Sequence, residues 1–353
     1  MNSSLPYTAQ GLLVLPHLRV QNANAISSQM THGFPSITAF TGLMWALERK
    51  LTAAGAPLRL QKVGVICHQH HEQVNDGYVK TFRLTRNPVG KDGGTAAIVE
   101  EGRTHLDLTL VFLVQQKITA ADAPPLLVQG NDGALDALAA QVVKTTAAMR
   151  VAGGSVLPSR PAPGRFTRPW LAVLPDDLAQ RDAYFRDWRR QWLPGFALVG
   201  RDDLLPQRLG ALREDRPDTT ALDAWLDLSR FNYRAEPPAE SEAATSQRVR
   251  WSDPDRGKGS GWIVPIPVGY AGLSELHQSG HVQNARDAHT PLRFVESVYS
   301  VGEWISPHRL NHVEDLLWQA ETDPVRALYR CRSSYQPAVS ADMTEDDDFY
   351  AYD

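Results

Sequence analysis

Along this chain, hydrophobic and polar positions follow periods that predict most of its elements. An apolar run, Leu12-Leu13-Val14-Leu15, passes into alternation of Leu18 and Val20 with His17, Arg19 and Gln21. It stops at the small polar segment Gln21-Asn22-Ala23-Asn24-Ala25-Ile26-Ser27-Ser28. A period of two predicts a core strand that delivers amide and hydroxyl side chains to a surface loop. Pro16 cannot donate to a ladder and predicts a bulge or an edge position. From Ser36, a good helix N-cap, apolar residues recur at Ile37, Phe40, Leu43, Met44, Leu47 and Leu51 until Gly55, which predicts a helix. The stretch 58–67 reads as the next strand, and a right-handed crossover would put both strands in one sheet.

Downstream, Gly90-Lys91-Asp92-Gly93-Gly94 predicts a turn, and a strand over 98–114 carries Leu106, Leu108, Leu110, Phe112 and Val114. Asn131-Asp132-Gly133 opens a helix that continues through Leu135, Leu138, Val142 and Val143 to Met149 and stops at Gly153-Gly154. A helix over 176–193 interleaves Arg181, Arg186, Arg189 and Arg190 with Tyr184, Phe185, Trp188 and Trp192. Those aromatics either pack inward or form a basic, stacking face. A strand at 196–200 and helices at 202–214 and 219–231 follow. Order resumes at 262–270, and a last helix is expected around Leu316, Leu317 and Trp318. Residues 235–261, rich in Pro, Glu, Ser and Gly, read as a linker or flexible loop, and 342–353 as a disordered acidic tail.

Length and composition narrow the class. A chain of 353 residues can bury a large core and hold two structural units. With 42% hydrophobic and 22% charged residues it has the make-up of a soluble globular protein, and no run approaches the roughly 20 apolar residues of a membrane helix. No basic-then-apolar leader is visible, so the expected location is cytoplasmic. Cys67 and Cys331 are too few for a disulfide framework and read as reduced thiols. The net charge of −4 conceals segregation: twelve arginines and no lysine lie in 150–216, whereas 342–353 carries Asp342, Glu345, Asp346, Asp347, Asp348 and Asp353. Arginine's planar fork suits phosphate, although a GC-rich genome yields the same bias.

Several groupings are chemically suggestive. The polar loop after the first strand suits hydrogen bonding to phosphate, sugar and base edges, or else caps its own backbone. Arg150 followed by Gly153-Gly154 suits an anion approached by backbone N–H groups, or is a plain helix terminator. Cys67-His68-Gln69-His70-His71 contains zinc-ligand types but no second ligand pair, which favours a strand end bearing surface histidines, with His68 and His70 on one face and His71 on the other. Glu100 and Glu101 are adjacent, would face apart on a strand, and make poor partners for acid-base catalysis. No nucleophile elbow, HExxH or paired-metal pattern is present.

A family resemblance spans residues 12–329. Gln21-Asn22-Ala23-Asn24-Ala25-Ile26-Ser27-Ser28, Leu84-Thr85-Arg86-Asn87-Pro88, 95–103, 148–155, 193–199, Asn284-Ala285-Arg286-Asp287 and Trp304-Ile305-Ser306-Pro307-His308-Arg309 are similar, in order, to the second Csy subunit of type I-F CRISPR surveillance complexes. That family is the counterpart of the Cas-five RAMP subunit. The resemblance implies an α+β, modified ferredoxin-like (RRM-related) RAMP core over 11–155 with an inserted thumb. The hairpin at 80–97 is the thumb candidate, 156–234 a basic, mainly helical insertion, and 262–332 the part that completes the core. It implies no catalysis and no cofactor. The implied partners are the 5′ handle of the CRISPR RNA, the large Csy subunit and the terminal backbone subunit, with target DNA left open. The expected RNA contacts are Asn22, Asn24, Ser27, Ser28, Arg86, Asn87, Arg150, Gly153, Gly154 and Ser155, with Arg286, Arg293, His308 and Arg309 as a second group. A protein-only scaffold and a hydrolase or nuclease are the competing readings.

Overall fold

The first strand, β1 (Gln10–Asn24), runs between two neighbours, and its register slips between Leu15 and Leu18, where His17 takes a φ of 50°. Pro16 thus marks a bulge, as a residue without an N–H should. The computed structural model describes residues 10–337 apart from 57, 87–88, 96–97, 118–125, 162, 237–249, 254–260 and 286. Most of the expected linker and the whole acidic segment 342–353 therefore lie outside the described residues.

The other strands of the main sheet are β2 (Leu58–Glu72), β3 (Arg103–Gln116), β4 (Arg150–Val151), β5 (Gly154–Leu157), β6 (Trp170–Val173), β7 (Phe196–Gly200), β8 (Trp262–Gly272), β9 (Val295–Ile305), β10 (Leu317–Asp323) and β11 (Leu328–Ser333). Their order is β7-β9-β8-β11-β10-β2-β3-β1-β5-β4, with β6 also paired to β1. All the pairings are antiparallel. β1 and β2 share one sheet, as the crossover requires, but β3 lies between them. Phe196 and Ala197 of β7 also pair with Cys67 and Ile66 of β2, so β2, β10, β11, β8, β9 and β7 close into a ring of six strands.

The helices are α1 (Ile37–Ala53), α2 (Asp132–Ala147), α3 (Leu178–Trp188), α4 (Leu204–Asp215) and α5 (Ala221–Leu228). α1 begins where Ser36 accepts a hydrogen bond from the Thr38 N–H, and it buries Phe40, Met44, Leu47 and Leu51. These side chains, with Leu135, Leu138 and Val142 of α2, cover one face of the sheet through Leu13, Leu15, Leu108, Leu110 and Phe112. The opposite face, through Leu12, Val14, Ile66, Val111 and Leu113, packs on Phe185, Trp192, Leu310 and Val313. Each fully buried side chain of this size contributes about 1.5–3 kcal/mol. Coverage on both faces explains why β1 and β3 read as nearly unbroken apolar runs. It also decides the aromatics of α3: Phe185 and Trp192 point inward, and Trp188 packs on Trp170 at 5.2 Å between centroids.

Three expectations are corrected. Leu317 and Trp318 belong to β10 rather than a helix, after one short helical turn, Val313–Leu316. Trp318 pairs with Val63 and donates its indole N–H to the Leu198 carbonyl at 2.8 Å, while Gly64 leaves space that Leu316 fills. A three-residue apolar run holds too little period to separate the two structures. The strand expected over 98–114 breaks at Glu101-Gly102: Ile98–Glu100 pairs with Leu84–Arg86, and β3 starts afresh at Arg103. Gly102 lies against Ile26, where a Cβ would sit 2.6 Å from Cγ1. Finally, β2 slips by one residue between Cys67 and Gln69. The slip puts His68 beside Thr109 and His71 opposite His105 on one face, and turns His70 toward Phe34 on the other. A bulge inverts the face of every later side chain, which simple alternation does not anticipate.

Candidate nucleic-acid interface

β1 delivers its polar loop to the edge of the sheet, where β4 and β5 form a hairpin beside it. Ala152 and Gly153, with φ of 47° and 79°, are the two-residue turn of that hairpin, a conformation that favours glycine. Gly154 then presses on β1: a Cβ there would lie 2.7 Å from the Ala23 nitrogen and 2.8 Å from the Gln21 carbonyl oxygen. The Asn24 N–H donates to the Ala152 carbonyl at 2.8 Å, and Ser155 pairs with Gln21. Gly153 and Gly154 thus form a hairpin that holds Arg150 next to the polar loop; they do not terminate a helix.

The loop's own polar groups are largely turned inward. Asn24 donates from Nδ2 to the Ile26 carbonyl at 2.7 Å and accepts the Ile26 N–H at 3.1 Å. Ser27 Oγ lies 2.7 Å from Thr31 Oγ1 and 3.1 Å from the Thr31 carbonyl. Ser28 Oγ accepts the N–H groups of Met30 and Thr31. Asn22, at φ 56°, accepts from Gln73 Nε2 at 2.7 Å, and its N–H donates to His105 Nδ1 at 3.2 Å. Burial first, and then the nearby charges of His71 and Arg83, lower the pKa of His105 below its ordinary value. Asn24, Ser27 and Ser28 therefore brace the loop, and Asn22 pins it to the adjacent strand.

The free charge comes from arginines. A depression of about 440 Å³ is lined by Gln21, Asn22, Gln73, Arg83, Leu84, Glu101, Arg103, Arg150, Gly153 and Ser155. Arg150 donates to the Gly153 carbonyl at 3.1 Å, and the nearby Glu101 is engaged by Arg103 at 2.7 Å. Among the described residues neither Arg83 nor Arg150 has a carboxylate partner. A second depression, which shares Gln21, is lined by Arg19, Gln69, His71 and His105. A third, which shares Arg150 and Gly153, is lined by Asn24, Ser27, Ser36 and Tyr270. The three depressions adjoin through Gln21, Arg150 and Gly153 and form a trough around the end of β1 that mixes polar and apolar lining.

The remaining expected residues are dispersed. Arg86 ends the short strand Leu84–Arg86, whereas Asn87 and Arg286 lie outside the described residues. Arg293 is half-buried before β9, and its Nε has no hydrogen-bond partner among the described residues. His308 and Arg309 are exposed on the turn Pro307–Arg309, where Ser306 Oγ lies 2.8 Å from His308 Nδ1. That turn packs on the turn Arg189–Trp192, away from the hairpin. Sequence reasoning missed Arg83, Arg19, His71 and His105. The alternation of β3 and the pairing of Arg83 with the Glu101 stretch are the signals that lead to them.

The suspected metal cluster is spoken for by other contacts. His68 bonds the Pro194 carbonyl and Thr109 Oγ1, each at 2.8 Å, and Cys67 is pushed up to about 12 by burial and by Asp107. No group of three metal-ligating side chains occurs among the described residues. No described helix is long and apolar enough to cross a membrane. Glu100 accepts the Phe82 N–H at 3.1 Å while Glu101 holds Arg103, so the two carboxylates serve different local bonds.

Comparison with known proteins agrees with the motifs. The family model described as CRISPR-associated protein (Cas_Csy2) matches residues 13–331. The CRISPR-associated protein Csy2 of Pseudomonas aeruginosa (strain UCBPP-PA14) is 45% identical over 330 residues, which cover 91% of this chain and 94% of that protein. The match runs through the strands, the hairpin and the arginine-lined trough described above, and the chain belongs to the Csy2 family of type I-F CRISPR systems that the motif resemblance anticipated.

Proposed function

We propose that this chain is a non-catalytic subunit of a type I-F CRISPR surveillance complex, binds the 5′ handle of the CRISPR RNA along the trough, and pairs with the large Csy subunit in the cytoplasm. The observation that carries the reading is the placement of Arg83 and Arg150 at one depression without carboxylate partners, beside a loop whose polar groups hold it rigid. Two uncompensated guanidinium groups on a fixed frame neutralise successive phosphates at little ordering cost. Bases then meet Gln21, Gln73, His71 and His105.

The fold supports the same reading. The succession β1-α1-β2-β3-α2-β5, with sheet order β5-β1-β3-β2, supports our reading of 11–155 as a ferredoxin-like βαββαβ unit. The 80–97 hairpin, whose Leu84 and Val89 are exposed, fits an inserted thumb that seats on the terminal backbone subunit. In the same reading 156–234, which holds α3 to α5 and also supplies β6 and β7 to the main sheet, is the insertion, and 262–332, which supplies β8, β9, β10 and most of β11 to the six-strand ring, completes the core. Leu222, Leu226, Phe231, Tyr233 and Trp251, exposed on and after α5, are suited to burial against the large subunit. Target DNA is a further candidate for the exposed side chains of His308 and Arg309.

Co-expression with the large subunit and a CRISPR RNA, followed by ultraviolet crosslinking and peptide mapping, tests the proposal. Crosslinks from the RNA 5′ end to peptides containing 19–28, 83 or 150–155 are expected. Their absence from an assembled complex would leave a protein-only scaffold. Cleavage of labelled RNA or DNA by the complex in Mg²⁺, abolished by substitutions in this chain, would revive an enzyme.

A further inference from the structure

A second cluster of arginines lies on the far side of the sheet from α1. The end of α3 and the following turn carry Arg186, Arg189 and Arg190, and Arg189 donates to the Leu310 carbonyl, next to Arg309. Arg186 and Arg190 crowd Arg189, whose pKa is lowered first by burial and then by those two charges. Relief from carboxylates is thin. Arg190 reaches Asp187 only at 3.9 Å, Asp182 is engaged by His312 at 2.9 Å, and Glu314 by Arg181 at 3.1 Å. Arg186 and Arg309 are exposed and have no carboxylate partner among the described residues. Such a cluster repels itself until an anion covers it.

The chain passes directly beside this face. Tyr335 packs on the core that holds Trp170 and Trp188, and the charge of Arg309 acts on its phenol. Two residues further, at Pro337, the described chain stops. Five residues beyond that begins a segment, 342–353, with six carboxylates and no lysine or arginine. Five extended residues span roughly 17 Å, enough to bring Asp342 and then Glu345, Asp346, Asp347 and Asp348 across a face a few turns wide. The family match stops at residue 331, so the acidic segment lies outside it.

We propose that the face formed by Arg186, Arg189, Arg190 and Arg309 is the docking place for the acidic segment 342–353 of the same chain. The carboxylates cover the guanidinium groups and keep adventitious polyanions off this face, and a denser polyanion displaces them. The contact is electrostatic, so it weakens steeply with salt.

The test is a carbodiimide crosslink, which joins a lysine amine to a carboxylate, in the co-expressed complex. Arg186→Lys and Arg190→Lys are made separately at these exposed positions, and Arg309→Lys provides a third, independent report. Peptides of 342–353 joined to positions 186, 190 or 309 are expected at several times the yield of joins to Lys50 and Lys144, which end α1 and α2 on the other face. The product should be lost in about 1 M salt, where the Debye length is about 3 Å, and on addition of heparin. Equal yields at Lys50 and Lys144, no product in any of the three variants, or joins only between differently isotope-labelled chains would each overturn the proposal.

Discussion

The imidazoles of His17 and His68 lie face to face, with ring centroids 4.1 Å apart and planes inclined by 29°. They come from strands that do not touch, β1 and β2, and meet across β3, which supplies Asp107 to His17 at 2.9 Å and Thr109 to His68 at 2.8 Å. Arg165 approaches Asp107 at 3.7 Å, and the Pro194 carbonyl bonds His68 from the chain before β7. The bulges at Pro16 and His68 create this meeting point, since each turns one histidine toward the second face. The cluster fastens the 159–195 layer to the sheet.

This contact predicts a pH dependence of stability. Burial lowers the pKa of His68 below its ordinary 6.5, and the charges of His17 and Arg165 act in the same direction. A base with a depressed folded pKa takes up a proton on unfolding, so its contribution is fully present above about pH 6.5 and is lost as pH falls through the folded value. The melting temperature of the purified chain or complex should fall on acidification from pH 7.5 to 5, and His68→Gln should flatten that fall. A His68→Gln variant with the wild-type slope would assign the acid sensitivity elsewhere.

At the hairpin, Gly154→Val places a side chain where the Ala23 nitrogen and the Gln21 carbonyl already sit below 3 Å from a Cβ. Backbone cannot yield as a flexible side chain does, so β5 must move off β1, at about 1–3 kcal/mol. Calorimetry should record the loss. RNA retention should fall with it, because Arg150 is carried by the same hairpin. Gly153→Ala, at an open turn position, strains φ without the clash and should cost about 1 kcal/mol.

Charge and bracing at the trough should separate experimentally. Arg83→Ala and Arg150→Ala each remove one unpartnered cation, so each should reduce the slope of log affinity against log salt by about 0.7 while leaving the melting temperature within about a degree. Asn24→Ala removes two internal hydrogen bonds and no charge. It should cost about 0.5–1.5 kcal/mol per bond in stability and leave the salt slope unchanged. Titrations of labelled RNA at three salt concentrations check all three variants.

These contrasts also show where the residues were legible in advance. α1 is readable because Phe40, Met44, Leu47 and Leu51 sustain one period over about three turns, and β7 because its five residues are bounded by turns on both sides. Leu317 and Trp318 lie in a strand rather than a helix, because the three apolar neighbours Leu316, Leu317 and Trp318 fit either period. The break at Gly102 and the bulge at His68 arise from tertiary contacts with Ile26 and Thr109 that local sequence does not carry. At the site, the polar loop was visible as chemistry, but which partner each amide takes depends on Gln73, Thr31 and His105, two of them remote in sequence. Nothing local marks Arg83, rather than Arg86, as the arginine that ends beside Asn22.

The two cysteines offer a last measurement. Cys67 is pushed up to about 12 by burial and by Asp107, and Cys331, bonded toward Thr41 Oγ1 at 3.6 Å, is raised by burial too. Only the thiolate reacts with iodoacetamide. At pH 8 a thiol with a pKa near 12 therefore reacts roughly a thousandfold more slowly than an ordinary one, before any steric shielding. Native protein should stay unmodified over hours in which a free cysteine is consumed in minutes, and both sites should label at the ordinary rate once the chain is unfolded in urea. Because Cys67 sits where β2 meets β7, labelling there in native protein would report that the six-strand ring opens at that seam. Labelling of Cys331 alone would instead report that α1 lifts from β11, since Thr41 and Tyr329 enclose it.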